Sequence, residues 1–263
     1  MSLELPVFET VVRSGFSLAV LVAILVWQWQ APCRELHASP WMRWLSNLGM
    51  GALNRILLQL LPLTWAAVVI ADWTGGGLLK QVGAPLWLAI LLSLIVLDFA
   101  IYLQHRLFHA VPWLWCLHRV HHSDTDFDVT TGVRFHPLEA MVSMLIKLVV
   151  VVVLGTPVIA IVIFEVMLNA MSLFNHGNVQ LPGALDATLR RVIVTPDMHR
   201  VHHSIHHQEQ QHNFGFNLSW WDRWLGTYQD QPVDGHRGML IGVDQFRADD
   251  ERRLYRLLSQ PFR

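Results

Sequence analysis

Residues 84–109 read APLWLAILLSLIVLDFAIYLQHRLFH. From Ala84 to Leu103 the chain is apolar apart from one serine and Asp98, and it then runs straight into His105 and His109. A run of about 20 apolar residues matches the hydrocarbon core of a bilayer at the helical rise of about 1.5 Å per residue. The stretch is predicted to be a membrane helix that presents two imidazoles, one turn apart and on one face, at its polar end.

Working outward, three more apolar tracts appear. Gly15 to Trp29 extends back toward Val7 and ends in Trp27 and Trp29, as an interfacial belt does. The segment before it (Glu4, Glu9, Arg13) has no basic n-region, and no small-residue cleavage site follows, so this tract is read as a retained helix. Ile56 to Ala71 stops at the turn Asp72-Trp-Thr-Gly-Gly-Gly77. Between these two tracts lies a polar, Trp-rich stretch with Arg34, Arg43 and Arg55, read as a loop; the turn from 72 to 84 carries only Lys80. The positive-inside bias places the arginine loop, and with it His105, in the cytoplasm.

The last tract, Met141 to Ala170, is interrupted at Gly155-Thr-Pro157. One unbroken helix would put His136 and His176 on opposite sides of the membrane. Two arms of about 14 residues, roughly 21 Å each, would return both to one side. The second arrangement, a hairpin over 141–170 that dips in and comes back, is the expectation. Lys147 inside it is expected to snorkel.

Composition agrees with a membrane protein: 53% of residues are apolar and 15% charged, against about a quarter charged in soluble domains. A net charge of -1 gives no electrostatic case for nucleic acid. Cys33 and Cys116 make no disulfide framework. The expected fold is all-α, a multi-pass membrane helical bundle with a cytosolic histidine-rich di-metal cap. It forms one domain over 1–263, with 1–104 mainly membrane helices and 105–263 the catalytic region.

Of the fifteen histidines, three clusters are expected to carry the chemistry. They are His105-x-x-x-His109, His118-x-x-His121-His122 and His199-x-x-His202-His203. Positions i, i+3 and i+4 share a helix face, so each cluster is expected to aim at a single point. At this histidine frequency one HxxHH arises by chance roughly 0.05 times per chain, so two are not accidental. Neutral imidazole suits iron, zinc, copper and nickel. Eight nitrogens are too many for one tetrahedral ion and enough for two metals with open positions. Asp98, Tyr102, His105 and His109, spaced 4, 3 and 4, form one helical stripe. Asp98 and Tyr102 are therefore candidate catalytic-site residues, Asp98 as a carboxylate that orients a ligand or one that pairs within the bundle. Asp197 and Asp222 are weaker candidates of that type. His206, His207 and His212 read as solvated or substrate-entrance residues, His37 and His236 as ordinary. The Trp-dense stretch Asn213–Tyr228 reads as an interfacial cover, a packing segment, or both.

HxxxH, HxxHH and HxxHH in this order, on a multi-pass chain, resemble the histidine boxes of the fatty acid hydroxylase and sterol desaturase superfamily. The likeness continues through Val120-His-His-Ser-Asp124, Arg134-Phe-His-Pro-Leu-Glu139, Phe174-Asn-His-Gly-Asn178, Thr195-Pro-Asp-Met-His199 and Asn213 to Tyr228, as in its bacterial sterol-desaturase-like branch. It covers about Asp98 to Tyr228. The resemblance implies a four-helix anchor in a bacterial inner membrane and two Fe ions on the cytoplasmic side, with zinc able to replace them in recombinant material. It further implies O₂ as co-substrate, a membrane lipid as substrate, and electrons from cytochrome b5, a ferredoxin or a reductase. The family's extra ligands lie in places comparable to His136 and His176, which could equally be supporting residues. The rival readings are a zinc-dependent membrane hydrolase and a non-enzymatic metal transporter or haem carrier. A zinc enzyme needs only three protein ligands, and a haem carrier two histidines.

Overall fold

The computed structural model describes residues 4–36, 40–61, 70, 73 and 75–263, with side chains from residue 14 onward. Among these the fold is helical and no β-strand forms. The elements that position the site are α1 (Glu4–Gln30), α2 (Pro40–Leu60), α3 (Leu86–Ala110), α4 (Pro112–His122), α5 (Pro137–Leu154), α6 (Val158–Asn175), α7 (Pro196–His202), α8 (Trp220–Trp224) and α9 (Leu254–Ser259).

By length and composition α3, α5 and α6 can each cross a membrane. Leu97 and Ile101 of α3 pack against Val151 of α5 and against Ile161 and Phe164 of α6. Ile24 of α1 meets Leu173 of α6. The outward faces stay apolar: Leu91 and Leu103 on α3, Val149 and Val153 on α5, and Ile159 and Met167 on α6 are exposed. Such a belt is stable against lipid, whereas in water it would be an aggregation surface.

The hairpin forms where Gly155-Thr156-Pro157 interrupts the apolar tract. Its arms are 18 residues each, longer than the expected 14. At about 27 Å they span most of the hydrocarbon core. The extra turns come from polar residues at the arm ends, such as Glu139 and Asn175, which the apolar pattern alone leaves out. Both arms pack on α3 and far less on each other, and α6 also packs closely on α1. Lys147 does not snorkel. Its Nζ donates to Glu165 Oε1 across the hairpin at 2.5 Å.

Residues 30–55, expected as a loop, are largely helix. α2 buries Arg43, Ser46, Asn47 and Met50 and exposes Trp41, Leu45 and Leu48. The spacing 43, 46, 47, 50 is one helical stripe, but three of its four residues are polar. The helix is amphipathic in the reverse sense, with its polar face inside and its apolar face outside, and a search for apolar runs passes over it. The second apolar tract continues α2 to Leu60; most of the remainder, and His37, lie outside the described residues.

At the hairpin tip two glycines allow a close approach. Gly155 (φ 70°) and Gly77 (φ 71°) lie against each other, and a Cβ on Gly155 would overlap the Gly76 carbonyl oxygen. Backbone cannot yield as a side chain would. Gly155→Ala should therefore lose about 2 kcal/mol or more, combining left-handed strain of about 1–2 kcal/mol with the overlap. Gly183→Ala, where no atom lies within 4 Å of the added carbon, should change stability by less than about 0.5 kcal/mol. Thermal unfolding in detergent compares them, and equal responses would contradict the contact.

Candidate metal centre

Val111 breaks α3, and Pro112 at the first position of α4 starts a new helix without wasting a backbone donor. The corner brings His118, His121 and His122 back over His105 and His109. The Thr195 hydroxyl caps α7 by accepting from Met198 N–H and sets His199, His202 and His203 opposite them. His176 caps the C-terminal end of α6.

Nine imidazoles meet here in two groups. One contains His105, His109, His118, His122 and His202, the other His121, His176, His199 and His203; within each, the nitrogens lie within 4.8 Å of one another. All are buried except His109, which is partly so. Neither HxxHH box aims at one point, as the spacing suggested. His118 and His122 join the first group and His121 the second, whereas His199 and His203 join the second and His202 the first. On a helix, positions i+3 and i+4 lie about 100° apart. A helix lying between two centres therefore serves both.

Hydrogen bonds at Nδ1 decide what the facing nitrogens can do. His105 donates from Nδ1 to the Phe214 carbonyl at 2.9 Å, and His202 to the His212 carbonyl at 2.8 Å. His118 Nδ1 meets Glu139 Oε1 at 2.6 Å. In neutral rings these bonds leave Nε2 without a proton. Yet His105 Nε2 lies 3.1 Å from His118 Nε2 and 3.0 Å from His202 Nε2. Three lone pairs point at one another, an arrangement that a cation relieves.

The second group repeats the pattern. His176 donates from Nδ1 to the Ser172 carbonyl at 2.7 Å, and its Nε2 lies 3.1, 3.1 and 3.2 Å from Nε2 of His121, His199 and His203. Both ring nitrogens of His109 and His122 are buried without a hydrogen-bond partner. Unpartnered buried nitrogens are costly unless a ligand uses them. The two groups thus fit metal ions, and an all-imidazole set suits iron or zinc.

Burial and neighbouring imidazoles hold His121, His122, His199 and His203 well below the usual histidine range. Burial pushes His176 down to about 4 and His202 to about 3. All are neutral at pH 7, as ligands must be. Phe135 stacks on His121, Phe127 lies beside His176 and His203, and Phe214 lies beside His105 and His202. These rings keep water away.

The structure does not bring His136 to either group. It caps α5, Nδ1 accepting from Leu138 N–H and Nε2 donating to the Leu258 carbonyl, both at 3.2 Å. Asp98 touches no imidazole. It accepts from Asn217 Nδ2 (2.8 Å), Leu218 N–H (3.1 Å) and Trp221 Nε1 (2.8 Å), and so pins the segment whose Phe214 carbonyl holds His105. Asp222 grips the same segment through the Phe214 and Gly215 amides; burial pushes its carboxyl up to about 6. Tyr102 bonds Thr227, which in turn bonds Asp222. Both Asp98 and Tyr102 thus contact the cover segment and not an imidazole. Asp197 pairs with Arg200, and His206 with Asp234 at the surface.

Sequence reasoning passed over Glu139, the carboxylate that holds a grouped histidine directly. A glutamate in the first turn of an apolar span reads as a partner of the helix dipole. Its signal was its place in Arg134-Phe-His-Pro-Leu-Glu139. Glu139→Gln should weaken metal binding at the five-histidine group about 10- to 100-fold, the usual loss for an outer partner. His136→Ala should keep full metal content and lose about 1 kcal/mol as a cap. Metal analysis after dialysis against a chelator checks both; metal loss in His136→Ala alone would reverse the assignment.

A family model described as fatty acid hydroxylase matches residues 90–227, just over half the chain. Ornithine lipid hydroxylase OlsE of Rhizobium tropici is 32% identical over 149 residues, covering 56% of this chain and 44% of that protein. Alkylglycerol monooxygenase of Xenopus tropicalis is 23% identical over 88% of this chain and 49% of its own length. Cholesterol 25-hydroxylase of Mus musculus is 25% identical, covering 86% of this chain and 76% of that enzyme. The chain thus spans about half the length of the first two relatives. No solved structure matches it. With its histidine boxes folded into two nitrogen groups at the end of apolar spans, the chain belongs to the fatty acid hydroxylase family.

Proposed function

We propose that this chain is an O₂-dependent di-iron oxidoreductase that hydroxylates or desaturates a membrane lipid. The observation that carries the reading is the pair of nitrogen groups, five imidazoles and four, set at the polar end of membrane-length apolar helices. His105, His109, His118, His122 and His202 hold one iron, and His121, His176, His199 and His203 the other. Bound there, the two irons supply the O₂ activation that breaks a lipid C–H bond.

The chain's own part is to position and exclude. The Phe214, His212 and Ser172 carbonyls and Glu139 fix four imidazoles with Nε2 inward. Asp98 and Asp222 hold the cover shut from two sides. Phe127, Phe135 and Phe214 keep the groups dry, which protects a reactive oxidant from side reactions. A lipid reaches such a site sideways from the bilayer, which accounts for building it on apolar helices. The cap faces the cytoplasm of a bacterial inner membrane in this reading, which is supported by the arginine bias and by the burial of Arg34 and Arg43 in the same cap as the histidines. An electron carrier such as cytochrome b5, a ferredoxin or a reductase serves it there. A zinc hydrolase needs three protein ligands, and nine imidazoles argue against it.

Hydroxylation uses one O₂, two electrons and two protons per C–H bond and releases one water. Product formed from a lipid extract under ¹⁸O₂ should therefore require an added electron donor. Label retained in the lipid identifies hydroxylation; an unlabelled new double bond identifies desaturation. Turnover under strict anaerobiosis, with oxygen drawn from labelled water, would replace this reading with hydrolysis.

A further inference from the structure

Among the described residues, six aromatic side chains other than histidine lie against the nine imidazoles. Five are phenylalanines: Phe108 beside His118, Phe127 beside His176 and His203, Phe135 on His121, Phe214 beside His105, His109 and His202, and Phe216 beside His199. The sixth is Trp115. A phenyl ring keeps water out as well as an indole does, so exclusion does not account for the change of type. The two rings differ in redox chemistry. Indole is electron-rich and gives up one electron far more readily than phenyl.

Trp115 also stands where an electron can leave for the ligands. On α4 it shares a face with His118, one turn on, and with His122, two turns on. Its ring centroid lies 4.9 Å from that of His109, 5.4 Å from that of His122 and 6.4 Å from that of His118. All three belong to the five-imidazole group. His109 and His122 are also the two grouped rings with both nitrogens buried and unpartnered. Phe108 and Phe214, on the same group, are buried, whereas Trp115 is partly exposed. One oxidisable ring thus joins these ligands to the protein surface.

We infer that Trp115 is a redox-active residue that draws oxidising equivalents out of the five-imidazole group when no lipid is bound, and so protects the ligands. In each step Trp115 passes one electron to the oxidised iron centre and its indole N–H proton to water, leaving a neutral indolyl radical. The external electron carrier returns an electron, a proton from water follows, and the indole is restored. Two such steps supply the two electrons that a C–H bond would otherwise give, and the oxygen atom takes up two protons and leaves as water. A bound lipid outcompetes this route because its C–H bond is held at the centre, whereas the indole stands behind the imidazoles. The inference rests on the lipid-oxidase reading.

Full-length protein loaded with ferrous iron, in detergent free of lipid, is given O₂ and an electron donor. Freeze-quenched samples should show an indolyl radical by electron paramagnetic resonance. Trp115→Phe should lose that signal, and Trp115→Tyr should show a tyrosyl radical in its place. With no other outlet for the oxidant, Trp115→Phe should accumulate about fivefold more oxidised His109, His118 or His122 by mass spectrometry, while Trp115→Tyr stays near wild type. Zinc-loaded protein should show neither radical nor damage. A radical that survives Trp115→Phe, or equal histidine oxidation in that variant and wild type, would overturn the inference and leave the oxidase standing. If Trp115→Phe fails to fold, wild type decides: oxidised indole should appear at Trp115 ahead of the other tryptophans, and its absence there would overturn the role. Ferrous protein that consumes no O₂ would sink the oxidase reading and this inference together.

Discussion

Imidazole lone pairs do not crowd into a dry interior without something to offset their repulsion, and here His105 Nε2 stands 3.1 Å from that of His118 and 3.0 Å from that of His202, with Nδ1 of each ring bonded on the far side. Most of the cap can be read as the means of enforcing that crowding. Carbonyls of Phe214, His212 and Ser172 hold rings from behind. Below α4, Arg43 pairs with Asp124 and Asp128, and Asn47 and Arg134 complete a buried network tied to Val120 and Ser123 at the end of that helix. Breaking one partner of such a network strands a buried charge at about 3–5 kcal/mol. The cap is therefore rigid where the rings need it, and rigidity is what converts scattered histidines into two ligand sets.

The bilayer supplies the second constraint. Helices whose outer faces are apolar must direct their polar side chains inward, and α2 shows it most clearly by burying Arg43 and Asn47 while exposing Trp41 and Leu45. The same logic lets Asp98 sit within an apolar helix, because Asn217, Leu218 and Trp221 bring it four hydrogen bonds. A polar interior inside an apolar coat is a suitable container for a reaction between a lipid and O₂.

Much of this was legible in the residues. Long apolar runs and the Gly155–Pro157 break gave the spans and the hairpin, because length and hydropathy decide membrane insertion. Histidine spacing gave eight of the nine rings that converge, and the hairpin and the family resemblance pointed to the ninth, His176. What spacing could not give was the division of each box between two groups, which depends on where a helix lies relative to its neighbours. His136 misled because its position beside an apolar tract suits a cap and a ligand equally. The Phe214 carbonyl and the Lys147–Glu165 pair were out of reach, and Glu139 was marked only by its stretch and not by its partner, for a related reason: each contact joins segments whose pairing only the tertiary fold determines.

The central claim is that two buried nitrogen groups hold two irons. Full-length protein reconstituted anaerobically with ferrous iron, freed of excess metal and examined by metal analysis with X-ray absorption and optical spectroscopy, tests it most directly. The account predicts two irons per chain, nitrogen-rich shells without sulfur, and no Soret band. One iron or fewer per chain, or a haem spectrum, would contradict it.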